Sequence, residues 1–188
     1  MKKKLLYLSI CFTMLMFASI QAANNNIKLN FGIPRLTTVE YERKLPIPGL
    51  NVFVNYGTGK ISWKSRKTTI SGLATGVRYK IPILGYLGIG FESLKVNYSY
   101  TQKIAAKNIN ISDIVKVDGK LNGLLIEYGT GFKIGPVMIG GNIGYIKGTP
   151  KVTSAKVGSV DVNKDGVNSG IATVKFIPQF GFYLGFAF

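Results

Sequence analysis

The chain has 188 residues, 24 basic against 8 acidic for a formal net charge of +16, one cysteine and no histidine. The missing histidine excludes histidine-dependent hydrolases and acyltransferases, and no serine stands in a Gly-x-Ser-x-Gly elbow. With 46% hydrophobic residues, 23 glycines, 11 Phe and 10 Tyr, the composition does not suit a disordered basic tail, and the length fits one domain.

Residues 1–22 read as a secretory signal peptide. Met1 to Lys4 is basic, Leu5 to Ile20 is apolar, and Ala18-Ser19-Ile20-Gln21-Ala22 ends on a small residue. A retained anchor helix is the alternative, since the apolar run approaches the roughly 20 residues of a spanning helix. Cys11 does not fit a lipoprotein site, because bulky Ile10 precedes it and the apolar run continues past it. With Cys11 in the leader, the remaining domain, 23–188, has no thiol and no disulfide. No later segment reaches about 18 consecutive apolar residues, which excludes a helical membrane protein.

From Ile27 onward the pattern has period two, the signature of strands. Ile27, Leu29, Phe31 and Ile33 alternate with Lys28, Asn30 and Gly32; Val39 and Tyr41 with Thr38, Glu40 and Glu42; Leu50, Val52, Val54 and Tyr56 with Asn51, Phe53 and Asn55. Leu73, Val77, Tyr79 and Ile81 alternate with Ala74, Gly76, Arg78 and Lys80. In the next segment Leu87, Ile89 and Phe91 set one phase, but Leu94, Val96, Tyr98 and Tyr100 follow in the other. A β-bulge near Glu92-Ser93 would restore the faces; the alternative is a strand that leaves the membrane there as a soluble hairpin, and the two are compatible. Leu124, Ile126, Tyr128 and Phe132, then Val137, Ile139, Ile143 and Tyr145, resume the alternation. The last strand is the longest greasy face: Phe176, Pro178, Phe180, Phe182, Leu184, Phe186 and Phe188, against Lys175, Ile177, Gln179, Gly181, Tyr183, Gly185 and Ala187.

Pro46-Ile47-Pro48-Gly49, Pro82-Ile83-Leu84-Gly85 and Ile134-Gly135-Pro136 are short turns, and another tight connection fits near Pro34-Arg35. Polar, lysine-rich stretches at 60–68, 101–120 and 149–168 read as long loops. Three turns and four loops join eight strands with both termini at one end.

This whole pattern, from the leader to the terminal Phe182-Tyr183-Leu184-Gly185-Phe186-Ala187-Phe188, resembles the small outer-membrane β-barrel superfamily of the OmpA, OmpX and opacity-protein type, with OmpW-like proteins as neighbours. The resemblance implies an all-β, eight-stranded antiparallel up-and-down transmembrane barrel in the bacterial outer membrane. It implies a monomer contacting outer-membrane lipids, lipopolysaccharide and the barrel-assembly machinery, with Phe182, Phe186 and Phe188 as the assembly signal. With no histidine, no cysteine after the leader and no serine elbow, no cofactor and no enzymatic activity are expected. The role is structural or one of surface interaction (envelope integrity, adhesion), and the alternative is a narrow pore or transporter for small molecules.

On that fold the polar face points inward. Glu40, Glu42, Glu92 and Glu127 then oppose Lys28, Arg78, Lys133 and Lys175 inside a lumen just wide enough for side chains. An ion-paired plug is the first reading and a gated conduit the second. Trp63, Tyr56, Tyr98, Tyr100 and Tyr145 are candidates for one aromatic girdle, and Tyr79, Tyr86, Phe132 and Phe188 for the other. The loop cations Lys60, Lys64, Arg66 and Lys67, with lysines at 103, 107, 116, 120, 147, 151, 156 and 164, face a phosphate-rich leaflet. Nucleic acid is not expected, because the compartment is wrong and no nucleic-acid motif is visible. Asp161, Asn163 and Asp165 match the first half of a calcium loop. Ala172 stands where the bidentate glutamate belongs, so a polar turn without metal is expected.

Overall fold

The computed structural model describes residues 24–106, 109–161, 163 and 176–188; the expected signal peptide and Lys107, Lys164, Asp165 and Lys175 lie outside them. One antiparallel sheet contains β1 (Asn25–Ile33), β2 (Thr37–Lys44), β3 (Leu50–Trp63), β4 (Arg66–Ile81), β5 (Gly85–Ala106), β6 (Ile109–Ile134), β7 (Val137–Val157), β8 (Val160–Asp161) and β9 (Phe176–Ala187). Each strand from β1 to β7 pairs with the next, β7 pairs with β9, and β9 returns to β1 from Asn26↔Ala187 to Ile33↔Phe180. Eight strands therefore close an up-and-down barrel. β8 is a two-residue return on the end of β7, outside the ring. Closure pairs the backbone of every ring strand on both sides, so no sheet edge is left within the barrel.

The three predicted short turns lie at one end with the described termini. Gly49 (φ 78°) and Gly135 (φ 59°) take the left-handed backbone these reversals need. The opposite end differs from the sequence expectation. Positions 60–63 and 66–68 are paired strand, closed by a turn at Lys64-Ser65 rather than a long loop. β5 and β6 run 22 and 26 residues and pair as far as Ala106↔Ile109, and β7 continues to Val157. Polarity on both faces masked these strands, although Thr68, Thr69, Ile70, Val115 and Val117 favour the extended backbone.

The predicted bulge at Glu92-Ser93 is absent. β5 keeps one register against β4 and β6 through Glu92 and Ser93, with Glu92 and Leu94 both inside. What changes is the environment: below this level the outer face is greasy and the inner face polar, and above it the two exchange roles. The second of the two sequence readings, a strand leaving the apolar belt as a hairpin, matches this geometry. The register shift in the barrel lies instead between Asp118 and Gly119 against β7.

Three zones follow one another along the lumen from the short-turn end. A vestibule of about 540 Å3 is lined by Lys44, Asn51, Lys80, Tyr86, Lys133 and Tyr183. A buried charged layer comes next. Above it Phe53, Ala74, Leu94, Leu121, Leu125 and Ile146 pack into an apolar layer, flanked by Ile70 and Ile177.

Candidate functional site

Arg78, inward on β4, organises the charged layer. Its guanidinium grips Glu40 with both Nη groups (Nη2 to Oε2 2.8 Å), donates from Nη1 to Glu42 Oε2 at 2.9 Å, and from Nε to Glu127 Oε1 at 2.6 Å. Lys28 on β1 donates to Glu40 Oε1 at 3.0 Å and to Glu42 Oε2 at 2.5 Å. Asn26 and Asn51 donate to the other Glu42 oxygen, and Asn55 reaches Glu40 Oε2 at 3.3 Å. Alternation places these groups together: Glu40 and Glu42 share the inner face of β2, and Lys28 stands directly opposite Glu40.

Aromatic faces complete the shell. The Arg78 guanidinium lies 4.1 Å from the Phe53 ring centre and 4.6 Å from that of Tyr86, and Lys28 Nζ lies 5.1 Å from the Tyr183 ring. Glycines make the room: a Cβ at Gly88 would lie 2.7 Å from Glu127 Cγ, and one at Gly185 2.9 Å from Lys28 Cγ. Tyr86 is therefore a buried wall of the charged layer, not a girdle residue as its sequence position suggested. Tyr98 likewise points inward, beside Val96, Val117 and Leu121. Tyr56, Tyr79, Phe132 and Tyr145 are exposed on the outside as expected.

A second, smaller charged pair was not anticipated. Arg35, in the β1–β2 connection, folds into the barrel and is buried. It donates from Nη1 to Asn55 Oδ1 (2.8 Å) and to the Gly72 carbonyl (3.1 Å), and its Nη2 lies 3.0 Å from Glu92 Oε1. That last contact is an ion pair without hydrogen-bond geometry, so both Glu92 oxygens lack a hydrogen-bond partner among the described residues. No sequence signal marked it, because alternation already set four inward carboxylates against four inward cations.

Lys133 corrects in the opposite direction. It was expected among the interior charges, but it is exposed at the vestibule rim, and none of the ion pairs among the described residues includes it. Its place on β6, one residue from the strand's end at Ile134, puts it in the open mouth rather than the core. Lys80 is at the same end and does pair, with Nζ 3.1 Å from Glu42 Oε1.

The outer surface carries a continuous apolar belt, including Phe31, Tyr56, Leu73, Phe91, Phe132, Ile143, Phe180 and Phe182, the last 73% exposed. Along the ring strands the outward positions between Arg43 at one rim and Lys147 at the other carry no charge among the described residues. Phe186 and Phe188 of the expected assembly signal are partly buried at the seam. Lys60 points outward on β3, whereas Lys64, Arg66 and Lys67 crowd the tip of the β3–β4 hairpin, where Arg66 lies over the Tyr100 ring at 5.6 Å. Asp161 of the calcium-like motif is on β8, 3.7 Å from Lys156 Nζ, and no cluster of three acidic, Cys or His ligands occurs among the described residues.

These features define a closed eight-stranded β-barrel with an ion-paired interior and a greasy exterior. No protein-family model matches the chain, and no curated protein matches it in sequence. In fold it is similar to the crystal structure of Acinetobacter baumannii CarO, with a TM-score of 0.52 at 14% identity, covering 89% of this chain and 98% of that one. At that identity the likeness shows the barrel fold alone, and nothing in it favours the OmpA or OmpX branch.

Proposed function

We propose that this chain is a non-enzymatic barrel of the bacterial outer membrane, with a structural or surface-interaction role and a closed lumen. The uncharged apolar belt carries the membrane part of the reading, because only a closed barrel satisfies its backbone while presenting such a face to lipid. Two stacked obstructions, the charged layer and the apolar layer above it, support a closed lumen. Beside the charged layer, a small cavity against Asn30, Arg35, Glu40, Asn55, Asn142 and Gln179, reaching Phe31 and Phe180 of the β1–β9 wall, measures about 20 Å3, room for about one water. The projecting β-hairpins, rich in lysine, supply the surface for partners, and contact with lipopolysaccharide belongs to this reading.

The vestibule favours a second reading, a narrow pore. It is lined by Lys44, Lys80 and Lys133 and would attract anions if the charged layer opened. Single-channel recording of refolded protein in planar bilayers separates the two. A silent membrane after verified insertion is expected, and discrete conductance steps that grow in an Arg78→Leu variant would establish the pore instead.

A further inference from the structure

One row of the barrel wall holds lysines directly opposite one another on three adjacent strands. Lys95 on β5 pairs in register with Lys120 on β6, and Lys120 with Lys151 on β7. All three are exposed on the outer face. Directly opposed residues bring their Cβ atoms within about 5 Å, and like charges so placed destabilise the sheet. No ion pair among the described residues relieves them, since the exposed ion pairs are Lys80–Glu42 and Lys156–Asp161. The nearest carboxylate, Asp118 in the next row up, accepts from Asn97 Nδ2 at 2.7 Å. Beyond it stands another opposed pair, Lys116 and Lys156.

The height of this row says what relieves it. Phe91 and Leu124, directly opposite each other, end the apolar belt on β5 and β6. Lys95 is four residues above Phe91 and Lys120 four above Leu124, with Ser93 and Asn122 between. At about 3.3 Å per residue on strands tilted by about 45°, the lysines stand roughly 10 Å above the belt's edge. Their long stems can bend back toward it, and Lys147, opposite Leu124, marks that edge itself.

We infer that Lys95, Lys120 and Lys151 form a binding site for the phosphate groups of a membrane lipid whose acyl chains lie on the belt below. This site rests on the membrane reading above and deepens it. It also moves the phosphate contact from the β3–β4 hairpin tip, where Lys64 stands eight residues beyond Tyr56, to the wall of β5–β7.

The test uses the full mature chain in detergent micelles, with native mass spectrometry of bound lipid A and of the same lipid stripped of its phosphates. The parent should hold the phosphorylated form with at least about tenfold preference, a difference readily resolved on the affinity scale. Lys95→Gln/Lys120→Gln/Lys151→Gln should lose that preference while keeping heat-modifiable gel migration, and Lys64→Gln/Arg66→Gln/Lys67→Gln should retain it. Equal preference in the wall variant and the parent, or equal loss in both variants, overturns the site. Complete displacement of lipid A from the parent by millimolar inorganic phosphate assigns the lysines to soluble anions and overturns the lipid. A chain that binds no lipid yet folds in micelles sinks this proposal alone, whereas one that cannot fold in micelles sinks the membrane reading with it.

Discussion

Arg78 is in contact with three carboxylates from two strands. Removing one partner of a buried ionic cluster leaves uncompensated charge, which costs about 3–5 kcal/mol. Arg78→Leu should therefore lower the unfolding free energy in micelles by about that amount, measured by urea titration. Glu92→Gln is the contrasting case. Its carboxylate is the one ion partner of buried Arg35 among the described residues, but Arg35 keeps its bonds to Asn55 and the Gly72 carbonyl, so the loss should be smaller than that for Arg78→Leu. If the two variants prove equally stable, the charged layer is not organised around Arg78. Most of this layer was legible in the sequence, because period-two alternation assigns Lys28, Glu40, Glu42, Arg78, Glu92 and Glu127 to one face. Arg35 was not, since a residue beside Pro34 in a turn has no face until the chain folds back. Lys133 was misread because alternation gives a side but not a depth.

At the scale of the strand, β9 carries the seam. It pairs with β1 on one edge and β7 on the other, and Phe188 beyond it exchanges two backbone hydrogen bonds with Asn25, at 2.9 and 3.0 Å. Deleting Phe188 removes both bonds together with the terminal aromatic. The expected outcome is a secreted chain that accumulates unfolded outside the inner membrane, read by loss of heat-modifiable migration and of membrane yield; normal yield would sink that role. The same scale explains the misplaced bulge. In β5 the apolar residues change faces while the backbone stays regular, so a phase change in the sequence reported a change of surroundings. The real irregularity lies on β7, where Thr153 is the extra residue between Val152, opposite Gly119, and Ser154, opposite Asp118, and a Thr-Ser step carries no apolar side chain to mark the change of phase. Turn chemistry was the more reliable guide, since Gly49, Gly85 and Gly135 all adopt positive φ at the three short turns.

For the whole molecule, strand parity places the three short turns with the termini and the hairpins opposite them. In the proposed membrane this puts the hairpins outside the cell. A cysteine at Lys64 should react with an impermeant maleimide on intact cells, and one at Gly49 should react only after lysis; the reverse pattern overturns the orientation. The exchange of greasy and polar faces along unbroken strands has a mechanical consequence. Sliding the barrel inward by one row would bring the lysines of β5–β7 toward hydrocarbon, and sliding it outward would lift Phe91 and Leu124 into water. Both displacements are resisted by a wall with no hinge, so the protein cannot easily shift or fold to suit its surroundings. In the proposed membrane, lipid would therefore have to thin or thicken around the barrel where membrane and belt differ in thickness. There it would act as a local gauge of bilayer thickness, set by the height of the apolar belt between its charged rims.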